Sequence, residues 1–174
     1  MRKQNAGFTF THFLILMIVV GLGSMTWRWA TEDIRAAKEA RWDILFIQPM
    51  LQEPKVAVLN YLMQRRKFPA DNRAANVAAP EKFADHRVAR VEIESGAIHV
   101  TFASHKVAPS PGKVFTLRPS IEDFNAPLPR ITWVCGYGEA DADKVVGGVN
   151  RTTIKRELLP ENCKGPALEN VAGI

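Results

Sequence analysis

Phe13-Leu14-Ile15-Leu16-Met17-Ile18-Val19-Val20-Gly21-Leu22-Gly23 decides how the rest of this chain is read. It is the densest part of a run, Gln4 to Trp27, without a single Lys, Arg, Asp or Glu. A helix rising ~1.5 Å per residue crosses a hydrocarbon core with ~20 residues. Phe8 to Trp27 meets that length despite Thr9, Thr11 and His12. Arg2 and Lys3 precede the run, so the positive-inside rule keeps Met1 cytoplasmic and sends the remainder of the chain outward. The 174 residues suit one domain plus this appendage. The formal charge of +5 is moderately basic and does not by itself imply a nucleic-acid partner.

Three readings of the run compete. A cleaved signal peptide needs a small-x-small site behind the apolar core, and Trp27-Arg28-Trp29 makes a poor one. A plain signal anchor is the second. The third rests on Gly7, a small residue directly before Phe8-Thr9-Phe10 on the cytoplasmic side, where ordinary signal peptides are not cut.

Outward from the run, Thr31-Glu32-Asp33 supplies acid, and Ile34, Ala37, Trp42, Leu45 and Phe46 recur near helical spacing. Val56, Leu59, Asn60 and Met63 continue a face, while Pro49 and Pro54 predict a kink or break. Arg65-Arg66-Lys67 closes the helix with cations, favourable at a helix C-terminus. Residues 70–86 read as a loop. Beyond it lie short alternating segments: Val91 and Ile93; Ile98, Val100 and Phe102; Phe115 and Leu117; then Ile131, Trp133 and Cys135. Short turns such as Ser95-Gly96 predict an antiparallel meander of about four strands, whose apolar face the amphipathic helix covers.

Gly7-Phe8-Thr9-Phe10 followed by Phe13 to Val20 resembles the class III leader and mature start of a type IV prepilin. Phe68-Pro69-Ala70-Asp71-Asn72, the Ser95 to Phe102 hairpin, Gly112 to Pro119, Ile131 to Cys135 and Leu158 to Cys163 resemble later parts of the same family in the same order. The resemblance implies an α+β pilin fold. A long N-terminal helix would pack on a roughly four-stranded antiparallel sheet with a disulfide-closed C-terminal region. It divides the chain into a leader (1–7), an apolar transmembrane or filament-core half-helix (8–30), an amphipathic half-helix (31–67) and a globular head (68–174). Prepilin peptidase would cut after Gly7 and Phe8 would be N-methylated, lowering the side-chain charge from +5 to +3.

Cys135 and Cys163 are the two cysteines, and in an exported domain two cysteines usually pair. A bond between them would close a loop of about 28 residues, worth roughly 3–4 kcal/mol on the chain-entropy model. Paired metal-ligand spacing is missing from His86, His99 and His105, no activating base marks a catalytic thiol, and Asp141 and Asp143 lack the glutamate of an EF-hand.

His12 departs from the family's pattern. The resemblance places a glutamate there, thought to pair with a neighbour's terminal amine in the apolar filament core. Neutral imidazole cannot cancel that charge and imidazolium would repel it. The expectation is a minor, tip or accessory pilin; the alternative is ordinary polymerisation, with Thr9, Thr11 or water satisfying the site.

The expected function is therefore structural and not enzymatic. It is a type IV pilus subunit held in the inner membrane with a periplasmic head, then assembled into an extracellular filament for adhesion, motility or DNA uptake. Its partners would be other pilin subunits, prepilin peptidase and the inner-membrane assembly machinery, with no cofactor and no small-molecule substrate. Loops around Glu139 to Arg151 would face outward. A second reading is a competence pilin contacting DNA through Arg65, Arg66, Lys67, Lys144, Arg151, Lys155 and Arg156. A pseudopilin of type II secretion and an unrelated signal-anchored periplasmic protein are the others.

Overall fold

The computed structural model describes residues 12–22, 44–104, 110–126 and 129–166. The chain divides into two units, residues 1–36 and 37–174, and helix α1 covers residues 12–22 of the first. Its apolar side chains from Phe13 to Val20 are exposed. Among the described residues no helix is long and apolar enough to cross a membrane. Most of the 8–30 span, and the link from it to residue 44, lie outside those residues.

In the second unit, residues 37–174, the described chain starts with helical residues 44–46. Ile47 is a turn, and α2 then runs over Gln48–Arg65. The two prolines act differently. Pro49 sits in the first turn of α2, where the missing N–H would have no intrahelical partner. Pro54 lies inside the helix and removes one ladder bond, yet α2 continues through it. Arg66 ends the helix in the left-handed conformation at φ 55°, with its N–H on the Leu62 carbonyl at 2.8 Å.

The buried face of this stretch is Ile44, Ile47, Leu51, Pro54, Val58 and Leu62. This corrects the expected face. Leu45, Phe46, Val56 and Leu59 are exposed. Pro54 explains the misplacement. Taken as an interruption, it hides the 3- and 4-residue steps from Leu51 through Pro54 to Val58 that define the packed stripe.

The sheet is antiparallel, in the order β1 (Val88–Glu94), β2 (Ala97–Phe102), β3 (Val114–Ile121), β4 (Ile131–Cys135). A two-residue strand, β5 (Val145–Val146), pairs with the end of β3 beyond β2 and makes a fifth strand where about four were expected. Two residues are too few to show alternation in the sequence. A register slip between Val88 and Arg90 lets Val88 and Val91 both point inward. Ser95 and Gly96 turn the β1–β2 hairpin with both residues at positive φ. A Cβ on Gly96 would stand 2.8 Å from the Phe68 ring.

One core joins α2 to the inner face of the sheet through Val91, Ile93, Ile98, Val100, Phe102, Phe115 and Leu117. The outer face is not left to solvent either: Ala97, His99, Thr116 and Ser120 are buried as well.

Candidate functional site

What covers that outer face is the segment closed by the two cysteines. Cys135 ends β4 and bonds Cys163, with a Cα–Cα distance of 4.8 Å across 28 residues of chain. The expected pairing is therefore present. Tyr137 organises the interior of the closed segment. Its N–H reaches the Cys163 carbonyl at 2.8 Å, and its hydroxyl lies 3.1 Å from the carbonyls of both Thr152 and Ile154. The Arg156 guanidinium stacks 4.6 Å from the Tyr137 ring centre and donates to the Lys164 and Pro166 carbonyls. Tyr137 carried no signal in the sequence beyond its nearness to Cys135.

The same segment seals the part of β3 that β4 does not reach. Thr153 N–H donates to the Val114 carbonyl and Gly136 N–H to the Thr116 carbonyl. The hydroxyls of Thr153 and Thr152 accept from the Val114 and Thr116 amides. The Glu139 to Arg151 stretch is thus partly anchored: Val145–Val146 is a strand and Gly147 is buried, while Asp141, Val145 and Val149 face solvent.

The seven cations gathered for a DNA contact do not form one patch of uncommitted charge. Arg66 donates to the Phe124 and Ala126 carbonyls, each at 2.9 Å. Lys144 lies 2.5 Å from Asp141 and 3.9 Å from Glu122. Arg151 pairs with Glu94 at 3.0 Å and Glu92 at 3.4 Å. Arg156 is held by Tyr137 and the two carbonyls named above. Arg65, Lys67 and Lys155 are exposed.

Of the histidines, His86 is exposed and 4.0 Å from Asp85, His99 is buried in β2, and His105 lies outside the described residues. Among the described residues no group of His, Cys, Asp or Glu could hold a metal ion. Gly7 and Phe8 also lie outside them. His12 is exposed and is the first described residue of α1.

A second surface lies on α2. Val56 and Leu59 are 51% and 38% exposed, and Met63 continues their line. At 3.6 residues per turn this stripe is roughly a third of the circumference away from the buried one. Leu45 and Phe46 are exposed just before α2, with Arg87 stacked 4.3 Å from the Phe46 ring centre. A groove of about 460 Å³ beside the stripe is lined by Val56, Ala57, Asn60 and Tyr61 on one side and Ala74 to Asn76 on the other.

Comparison with known proteins comes to the same place. The sequence model of a family described as pilin (bacterial filament) matches residues 50–164. A type IV major pilin protein PilE1 of Neisseria gonorrhoeae is 28% identical over 173 residues, covering 96% of this chain and 91% of that protein. A fimbrial protein of Neisseria meningitidis serogroup A is 25% identical over 176 residues, covering 96% of this chain and 98% of the relative.

Proposed function

The chain belongs to the pilin family of bacterial filament proteins, and from that premise we propose that it is a membrane-anchored pilus subunit which packs against its neighbours along the stalk. The observation that carries this reading is the second apolar stripe on α2. The helix has already buried Leu51, Val58 and Leu62 on its own sheet, while Val56 and Leu59 keep 51% and 38% of their surface exposed and Met63 is half-buried, so apolar surface is left over in the folded monomer. Covering such side chains with a second copy would gain about 25 cal/mol per Å² of apolar surface. The run from Phe8 to Trp27 acts first as the membrane anchor and then as the filament core, after a cut between Gly7 and Phe8 and N-methylation of Phe8.

Within this reading His12 makes the subunit an accessory or tip pilin. A terminal amine buried in the filament core needs a compensating charge, and imidazole does not provide one. The DNA-contact reading retains Arg65, Lys67 and Lys155 as uncommitted cations, which is few for a phosphate-binding surface.

Leu59→Asp tests the stalk surface. The variant should keep the fold, because Leu59 lies outside the buried core, and should drop out of the sheared-filament fraction while remaining in the membrane. Unchanged incorporation refutes stalk packing. In the same assay His12→Glu should raise incorporation if the accessory role is right, and leave it unchanged if it is not. N-terminal sequencing of the product should begin at Phe8; an intact Met1 contradicts the processing step.

A further inference from the structure

His99 is buried to 1% on the sheet's outer face, under the segment that the disulfide closes. Its Nδ1 is 3.0 Å from Thr116 Oγ1, which also accepts the Arg151 amide at 3.1 Å. The Glu94 carboxylate faces Nε2, which favours the ring proton on Nε2 and leaves Nδ1 to accept from the Thr116 hydroxyl, whose oxygen accepts the Arg151 amide. Nε2 makes no hydrogen bond, and Glu94 Oε2 is 3.5 Å away. That same Glu94 oxygen holds the Arg151 guanidinium at 3.0 Å. Glu92 lies 3.4 Å from Arg151 and 3.3 Å from Arg90. The groups around the ring are therefore Arg90, Glu92 and Glu94 from β1, Thr116 from β3, and Arg151 from the closed segment.

A second proton on this ring breaks the arrangement at two points. The new Nδ1–H must point at Thr116 Oγ1, so the hydroxyl proton loses its acceptor in a buried place, a costly state. The imidazolium also competes with Arg151 for Glu94 and repels it. The Glu94 and Arg151 side chains are 54% and 41% exposed, so their pair is a weak, solvent-screened one that is readily displaced.

We propose that acidification unlatches residues 147–153 from the sheet, with His99 as the sensor and the Arg151 contacts to Glu94 and Thr116 as the latch. This goes beyond the filament reading and does not depend on it. Burial holds the His99 ring below its ordinary range, Arg151 lowers it further, and Glu94 and Glu92 partly offset this. The latched state thus binds the proton less well than an opened state in which the ring meets water. As pH falls from about 6.5 toward the latched midpoint, opening should grow about tenfold per pH unit and then level off.

The test is amide hydrogen exchange on the full chain in detergent micelles from pH 7.5 to 4.5, expressed as protection factors. Protection at the Arg151 and Thr153 amides should fall about tenfold per pH unit inside that window, while the β1 and β2 amides keep theirs. His99→Asn should flatten the dependence. Constant protection in the parent chain, the same fall in His99→Asn, or a parallel loss throughout β1 and β2 would each overturn the proposal. Should His99→Asn not fold, Glu94→Gln serves instead. It removes the carboxylate that favours the imidazolium, so the levelling-off should move to lower pH; an unmoved profile again overturns the proposal.

Discussion

Removing the disulfide by changing Cys135 and Cys163 to Ala together tests what holds the outer half of the domain. The bond closes 28 residues, and the chain-entropy relation gives about 3–4 kcal/mol for a loop of that length. The native loop is also held without the bond, by Tyr137, by Arg156 and by the Arg118 donation to the Gly138 carbonyl at 2.8 Å. The fold should therefore survive, and the loss should appear mainly through a freer unfolded chain. Both cysteines are buried, at 8% and 3% exposure, so two sulfur-sized gaps add about 1 kcal/mol. The total is about 4–5 kcal/mol. With a urea slope of about 2 kcal/mol per molar, the midpoint should fall by about 2 M, and the slope should rise because the uncrosslinked chain exposes more surface. Urea unfolding followed by tryptophan fluorescence measures both. A midpoint shift below about 0.5 M would refute the reasoning, because it would mean that the polar clamps already restrict the unfolded chain as the crosslink does.

Two further substitutions probe positions where backbone depends on one residue. Asn72→Ala should destabilise by about 2–4 kcal/mol, seen as a lower urea midpoint: its side chain accepts from Ile93 N–H at 2.6 Å and donates to the Val91 carbonyl, both of which would lose a partner in the interior, and it also donates to the carbonyl of the exposed Ala78. Gly148→Ala should cost about 1–3 kcal/mol and lower the melting temperature, since φ is +66° and a Cβ would meet the Ala97 methyl at 2.5 Å; a neutral result would show that the loop can lift from the β1–β2 turn at no cost.

Much of this domain was legible because its signals are local. The alternation of Ile98, Val100 and Phe102, the Ser95-Gly96 turn and the cations ending α2 each report their own neighbourhood. What escaped depends on partners far along the chain. Alternation turns His99 away from the core, which is correct, but the segment that buries it arrives some fifty residues later through Arg151 and Thr152. Asn72 reads as a loop residue and becomes the clasp between the loop after α2 and β1. Arg151, Arg156, Lys144 and Arg66 look like free charge in the sequence, and each is committed to a partner that periodicity cannot reveal.

The helix is the most instructive element, because the second stripe adds to what Pro54 conceals and is also the one its proposed use needs. A helix that packs once has a single apolar stripe, and its periodicity locates that stripe. In α2 the stripe of Leu51, Pro54, Val58 and Leu62 and the stripe of Val56, Leu59 and Met63 share the circumference, so neither stands out against a polar background. Folding alone accounts only for the covered part of the second. A helix asked to bury one face inside its own domain and another against a second chain would carry both. Charging Leu59 separates the two demands: stability should stay with the first stripe, and incorporation should go with the second.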